Sequence, residues 1–257
     1  MKKISHIVLA MPVLLMACSE NSTFTALFDA EWNETVADYG VQICHSTPDA
    51  ILYPSPWTKE MEETFVIPDA TIQSMSTCGL LDSWLNHPRR QQGPWCSVCS
   101  SLKIRGVTRF NEMLANDRIA MELLSRNDCV PVLAARYLSV IVQKEEKAGK
   151  VQCLEMLLAN DACISAMNRD ERRRFLVMAL KMTEKETGRA NETRHILVGI
   201  MKAFNYTPFL EEAASEKYHQ SFFENQGNGF DEWLEGYTIC RFDAVEKYAR
   251  QFLNESL

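Results

Sequence analysis

The segment Glu112-Met113-Leu114-Ala115-Asn116-Asp117 returns as Glu155-Met156-Leu157-Leu158-Ala159-Asn160-Asp161, so that Ala-Asn-Asp recurs after 44 residues. In each copy the Asn-Asp pair suits a helix N-cap, because a short side-chain oxygen accepts from the free N–H groups of a first turn. A short helix is predicted next, then a longer apolar one: Val132 to Val142 in the first copy, Phe175 to Met182 in the second. A weaker third echo is Met201-Lys202-Ala203-Phe204-Asn205. Helical units of about 40 to 47 residues cannot bury their apolar faces alone, and they stack on their neighbours in HEAT- or armadillo-like arrays. The alternative is an irregular helical bundle in which the shared peptide is coincidence. Both solutions are all-α.

The rest of the chain agrees with that class. Phe24, Leu27, Phe28, Trp32, Val36 and Tyr39 recur at helical spacing and Gly40 supplies a stop, which predicts an amphipathic helix over 23–39. Pro48, Pro54 and Pro56 break the pattern, so residues 41–67 are expected to form a long loop folded back on the body. Pro68 opens a helix, and Ser76 or Thr77 caps the next, which Pro88 ends. Residues 87–100 form a second irregular stretch. Further helices are expected near 101–114, 117–126, 131–148, 150–159, 161–168, 170–187, 192–205, 208–224 and 230–252. Pro131 and Pro208 fall where a first turn tolerates proline.

The N-terminus sets the expected location. Lys2 and Lys3 precede an apolar stretch from Ile7 to Met16, and Leu15-Met16-Ala17-Cys18 has the form of a bacterial lipobox. About ten apolar residues are too few to span a bilayer, which needs roughly twenty, so the stretch is expected to be a signal h-region. Residues 1–17 would then be removed and Cys18 lipidated, leaving 18–100 as N-terminal helices and loops and 101–257 as the repeat-like region of one continuous domain. Ser19 after the cysteine suggests sorting to the outer membrane. Without Lys2 and Lys3 the chain keeps 25 of its 27 basic residues against 34 acidic ones, a net charge of −9. That balance argues against nucleic acid and against electrostatic adhesion to anionic lipid, so the membrane partner would be held by the lipid. The sequons at Asn21, Asn33, Asn191, Asn205 and Asn254 have a role only if the chain is a eukaryotic secreted protein.

Chemistry is sparse. Trp95-Cys96-Ser97-Val98-Cys99 has the spacing of a thiol–disulfide active site, in which a helix N-terminus lowers the pKa of the first cysteine. The strand that should lead into it is missing, since Asn86 to Pro94 is polar and proline-broken. A zinc site would draw on Cys44, His45, Cys78 and His87, none of which forms a second Cys-x-x-Cys pair. The remaining option is structural. Eight cysteines besides Cys18 permit up to four disulfides, and at least one is expected among Cys44, Cys78, Cys96 and Cys99. Cys153 and Cys163 fall at apolar helical positions and are expected to be buried thiols. No His-Glu-x-x-His, Gly-x-Ser-x-Gly or dinucleotide loop is present, so no catalytic residue, metal or cofactor is assigned. Lys144 to Lys147, Lys181 to Lys185 and Arg172-Arg173-Arg174 are expected on solvated helix faces.

Ile67-Pro68, Met75-Ser76-Thr77, Leu80, Leu85-Asn86, Pro88 and Phe110-Asn111 together resemble a pattern of uncharacterised secreted or lipid-anchored helical proteins of the Bacteroidota. The resemblance covers about 60 of the 257 residues, Met-Ser-Thr with its downstream Leu-Asn-x-Pro being its most specific part. It implies a helical envelope protein and no activity. The expectation is therefore a lipid-anchored, non-enzymatic binding or scaffold module with an envelope protein or glycan as partner. The alternative is a periplasmic thiol oxidoreductase using Cys96 and Cys99.

Overall fold

The computed structural model describes residues 11–40, 48–88, 114–143, 148–185, 191–215 and 241–256, and these are all-α, with no strand among them. In chain order the helices are α1 (Met11–Gly40), α2 (Lys59–Thr64), α3 (Asp69–Ser74), α4 (Thr77–Asn86), α5 (Arg118–Ser125) and α6 (Cys129–Gln143). They continue as α7 (Ala148–Leu158), α8 (Asp161–Ala166), α9 (Arg169–Lys185), α10 (Asn191–Ala203), α11 (Thr207–Ser215) and α12 (Phe242–Ser256).

Side-chain caps place the helix starts. Asp117 Oδ1 accepts from the Ile119 and Ala120 N–H groups at 3.1 Å each, and Asn160 Oδ1 accepts from Ala162 N–H at 2.9 Å. Both Ala-Asn-Asp sites therefore begin a short helix, with a shift: the aspartate caps the first and the asparagine the second. Asn168 and Glu171 form a reciprocal capping box at α9, each side chain accepting from the other's backbone N–H at 3.0 and 2.8 Å. The third echo ends α10 in a Schellman motif. Asn205 takes the left-handed conformation (φ 51°), Tyr206 N–H donates to Met201 O and Asn205 N–H to Lys202 O, both at 2.9 Å.

The packing is that of an irregular helical bundle with two rows. In one row α7 touches both α4 and α10, and in the other α9 touches both α6 and α12. The rows meet through α4–α6, α6–α7, α9–α10 and α10–α12 contacts. α1 lies across α6 and α9. With neighbours on several sides, α9 is buried nearly all round: Phe175, Leu176, Val177, Met178, Ala179 and Leu180 are all solvent-inaccessible. Leu157 of α7 is likewise buried. Gly199 of α10 lets α8 approach, since a Cβ there would run into Ile164 Cδ1.

Three expectations need correction. Residues 41–67 are not all loop, because Thr58 Oγ1 accepts from Met61 N–H at 3.3 Å and starts the short α2. The last helix runs on to Ser256, past the expected end at 252. Most consequentially, Arg173, Arg174 and Lys181 do not line a solvated face. All three are partly buried and grip α1: Arg173 Nε donates to Glu31 Oε1 at 3.1 Å, Arg174 pairs with Asp38, and Lys181 Nζ lies 3.3 Å from Asp29 Oδ1 and 4.5 Å from the centre of the Phe28 ring. Phe28, Glu31, Thr35 and Tyr39 form the buried stripe of α1 at three- and four-residue spacing, so the basic run belongs to a helix–helix interface. Lys144 to Lys147 lie outside the described residues, as does the helix expected near 101–114 apart from Leu114.

Candidate functional site

The segment from Pro48 to Pro68 is held on α4 by its own polar groups. Asp49 sits at the helix start, its Oδ2 accepting from Ser76 N–H at 2.6 Å and its Oδ1 from Ser76 Oγ at 3.1 Å. The Ser76 backbone N–H is the main reason its carboxyl titrates below the usual carboxylate range. Ser76 Oγ in turn caps α4 by accepting from Gly79 N–H at 3.0 Å. Gly79 leaves room for this carboxylate, because a Cβ at this position would lie 2.5 Å from Asp49 Oδ1. Two residues on, Ile51 N–H donates to Ser83 Oγ at 2.8 Å, and Ser83 Oγ donates to Gly79 O at 2.6 Å.

Beyond this root four rings pack together. Tyr53 stands edge-on to Trp57 at 5.8 Å and to His87 at 4.9 Å, and Trp57 is edge-on to Phe65 at 5.5 Å and to His87 at 5.3 Å. These separations are those of favourable aromatic pairs. The Trp57 Nε1 is buried with no hydrogen-bond partner among the described residues. Leu52 and Val66, next to Tyr53 and Phe65 in sequence, are 92% and 71% exposed. A packed cluster that shows aliphatic side chains to solvent can make apolar contact with another surface.

The residues singled out from sequence are scattered. Cys18 falls within the span of α1. Cys78, half-buried on α4, is disulfide-bonded, and its partner is none of Cys129, Cys153 and Cys163, which are buried thiols. Cys44, Cys96, Cys99 and His45 lie outside the described residues. The disulfide takes Cys78 out of the zinc set, and His87 is packed into the ring cluster. No group of metal-binding side chains occurs among the described residues. Burial pushes the Cys129 thiol up to about 12 and that of Cys163 well above its ordinary value, which leaves both poor nucleophiles.

Several buried polar groups escaped the sequence reading. Glu155 Oε1 accepts from Tyr137 Oη at 3.0 Å and from Thr193 Oγ1 at 2.5 Å, joining α7 to α6 and α10. Asp82 of α4 pairs with Arg136 of α6, and Trp84 Nε1 donates to Asp117 Oδ2 at 3.0 Å, so the α5 cap is also an inter-helix tie. His195 is buried in α10, and loss of solvent holds its pKa down to about 4, so it is neutral in the fold. One of them has a signal in sequence: Glu155 interrupts the apolar run from Cys153 to Leu158. Glu155, Asp82 and Glu31 each bond to side chains of neighbouring helices.

No match emerges from comparison of the chain with known protein families, curated proteins and solved structures.

Proposed function

We propose that the chain is a lipid-anchored cell-envelope protein whose helical body is a non-enzymatic binding or scaffold module. The observation that carries this is the N-terminal order: two lysines, a short apolar stretch, then Leu-Met-Ala-Cys with Cys18 as the acceptor of lipid. The described residues hold no helix long and apolar enough to cross a membrane, so in this reading attachment rests on the lipid. The body is the helical bundle described above, with the Pro48–Pro68 platform as its best contact surface for an envelope protein or glycan. Its acidic balance disfavours nucleic acid, and the likeness to lipid-anchored helical proteins of the Bacteroidota points the same way. Outer-membrane placement follows from Ser19 alone.

The thiol oxidoreductase reading, through Cys96 and Cys99, has less support. A thioredoxin-like motif needs a buried strand to lead into it, and Asn86 to Pro94 is polar and proline-broken. The anchor is tested by metabolic labelling with a fatty-acid probe. Labelling is expected in the wild type and lost in Cys18→Ala, whereas equal labelling of the two would overturn the proposal.

A further inference from the structure

We draw no further inference here: the strongest candidate, the Pro48–Pro68 surface patch in which Leu52 and Val66 stand exposed beside the Tyr53, Trp57, Phe65 and His87 rings, is an unpartnered apolar face, and nothing in the structure shows what covers it.

Discussion

Gly199→Ala should weaken the fold although alanine is the better helix former, and the reason is a single atom. Gly199 lies inside α10, where replacement of glycine by alanine ordinarily gains about 1 kcal/mol of helix stability. The new Cβ would overlap Ile164 Cδ1 on α8, while its next neighbours, Ala159 O at 3.8 Å and Ile164 Cγ1 at 3.9 Å, are at ordinary contact distance. Ile164 is itself buried, so its terminal methyl has little room to rotate away. Overpacking of this kind costs about 1–3 kcal/mol, which leaves Gly199→Ala between roughly neutral and 2 kcal/mol destabilising. Ile164→Val removes Cδ1 at a cost of about 0.5–1.5 kcal/mol. In that background Gly199→Ala meets no obstacle and should stabilise by about 1 kcal/mol. The double-mutant cycle should therefore show a coupling of about 1–3 kcal/mol, read from urea unfolding followed by circular dichroism with the disulfide intact. Equal effects of Gly199→Ala in the two backgrounds would refute the close α8–α10 contact.

His195 makes the fold acid-sensitive. Its folded pKa of about 4 lies below the ordinary 6.5, so the unfolded chain binds the extra proton first and stability falls as pH drops from 6.5 towards 4. The loss is on the order of 3 kcal/mol, and His195→Phe should remove that part of the pH dependence of urea midpoints; an unchanged slope would count against a buried neutral imidazole. Gly79→Ala should push Asp49 off the start of α4 and free the Pro48–Pro68 segment, which limited proteolysis would report as new cleavage there while α9 stays protected. Unaltered cleavage would mean that the Asp49 bonds do not hold the segment.

The helical class was legible because period and punctuation agree along the chain: Gly40, Ser76 and the two Ala-Asn-Asp sites end or begin helices where their chemistry requires. The cap register was not, since Asn116 and Asp117 are both good caps and only the approach of Trp84 to Asp117 chooses between them. α2 was missed because Lys-Glu-Met-Glu-Glu-Thr has one apolar residue and therefore no period. The basic run at 172–174 misled for a related reason. Charge in sequence is read as exposure, yet a long side chain can lie along an apolar interface and place its head on a carboxylate that is far away in the chain, as Arg173 does with Glu31. The candidate site was harder still. Pro54, Pro56, Tyr53 and Trp57 announced an ordered loop, but its root, Asp49 on Ser76 and Ile51 on Ser83, is a set of long-range bonds with no local signature.

The packing of α1 leads to a last prediction, about what kind of anchor this helix is. A flexible tether could be cut anywhere before the body without loss of fold. Here Thr25, Ala26 and Leu27 are exposed, whereas Phe28, Glu31, Thr35 and Tyr39 are buried and Trp32 and Val36 pack on the same core. A chain starting at Ala26 keeps this buried stripe whole and should therefore fold. A chain starting at Val41 would lose the buried rings of Phe28 and Tyr39 and the partly buried Trp32 and Val36 side chains, at about 1.5–3 kcal/mol for each buried ring. It would also leave Arg173, Arg174 and Lys181 without the carboxylates of Glu31, Asp38 and Asp29. The combined loss, about 5–10 kcal/mol, is comparable to the whole stability of a domain of this size. Thermal unfolding by circular dichroism should show a near-native transition for the first truncation and an absent or strongly lowered one for the second. Two equally stable truncations would show that α1 is a dispensable tether, and the charge pairs with α9 would then contribute little. If the prediction holds, a lipid at Cys18 would be attached to the same helix that completes the core, so the α1–α9 interface would transmit to the body any constraint that the membrane places on the anchor.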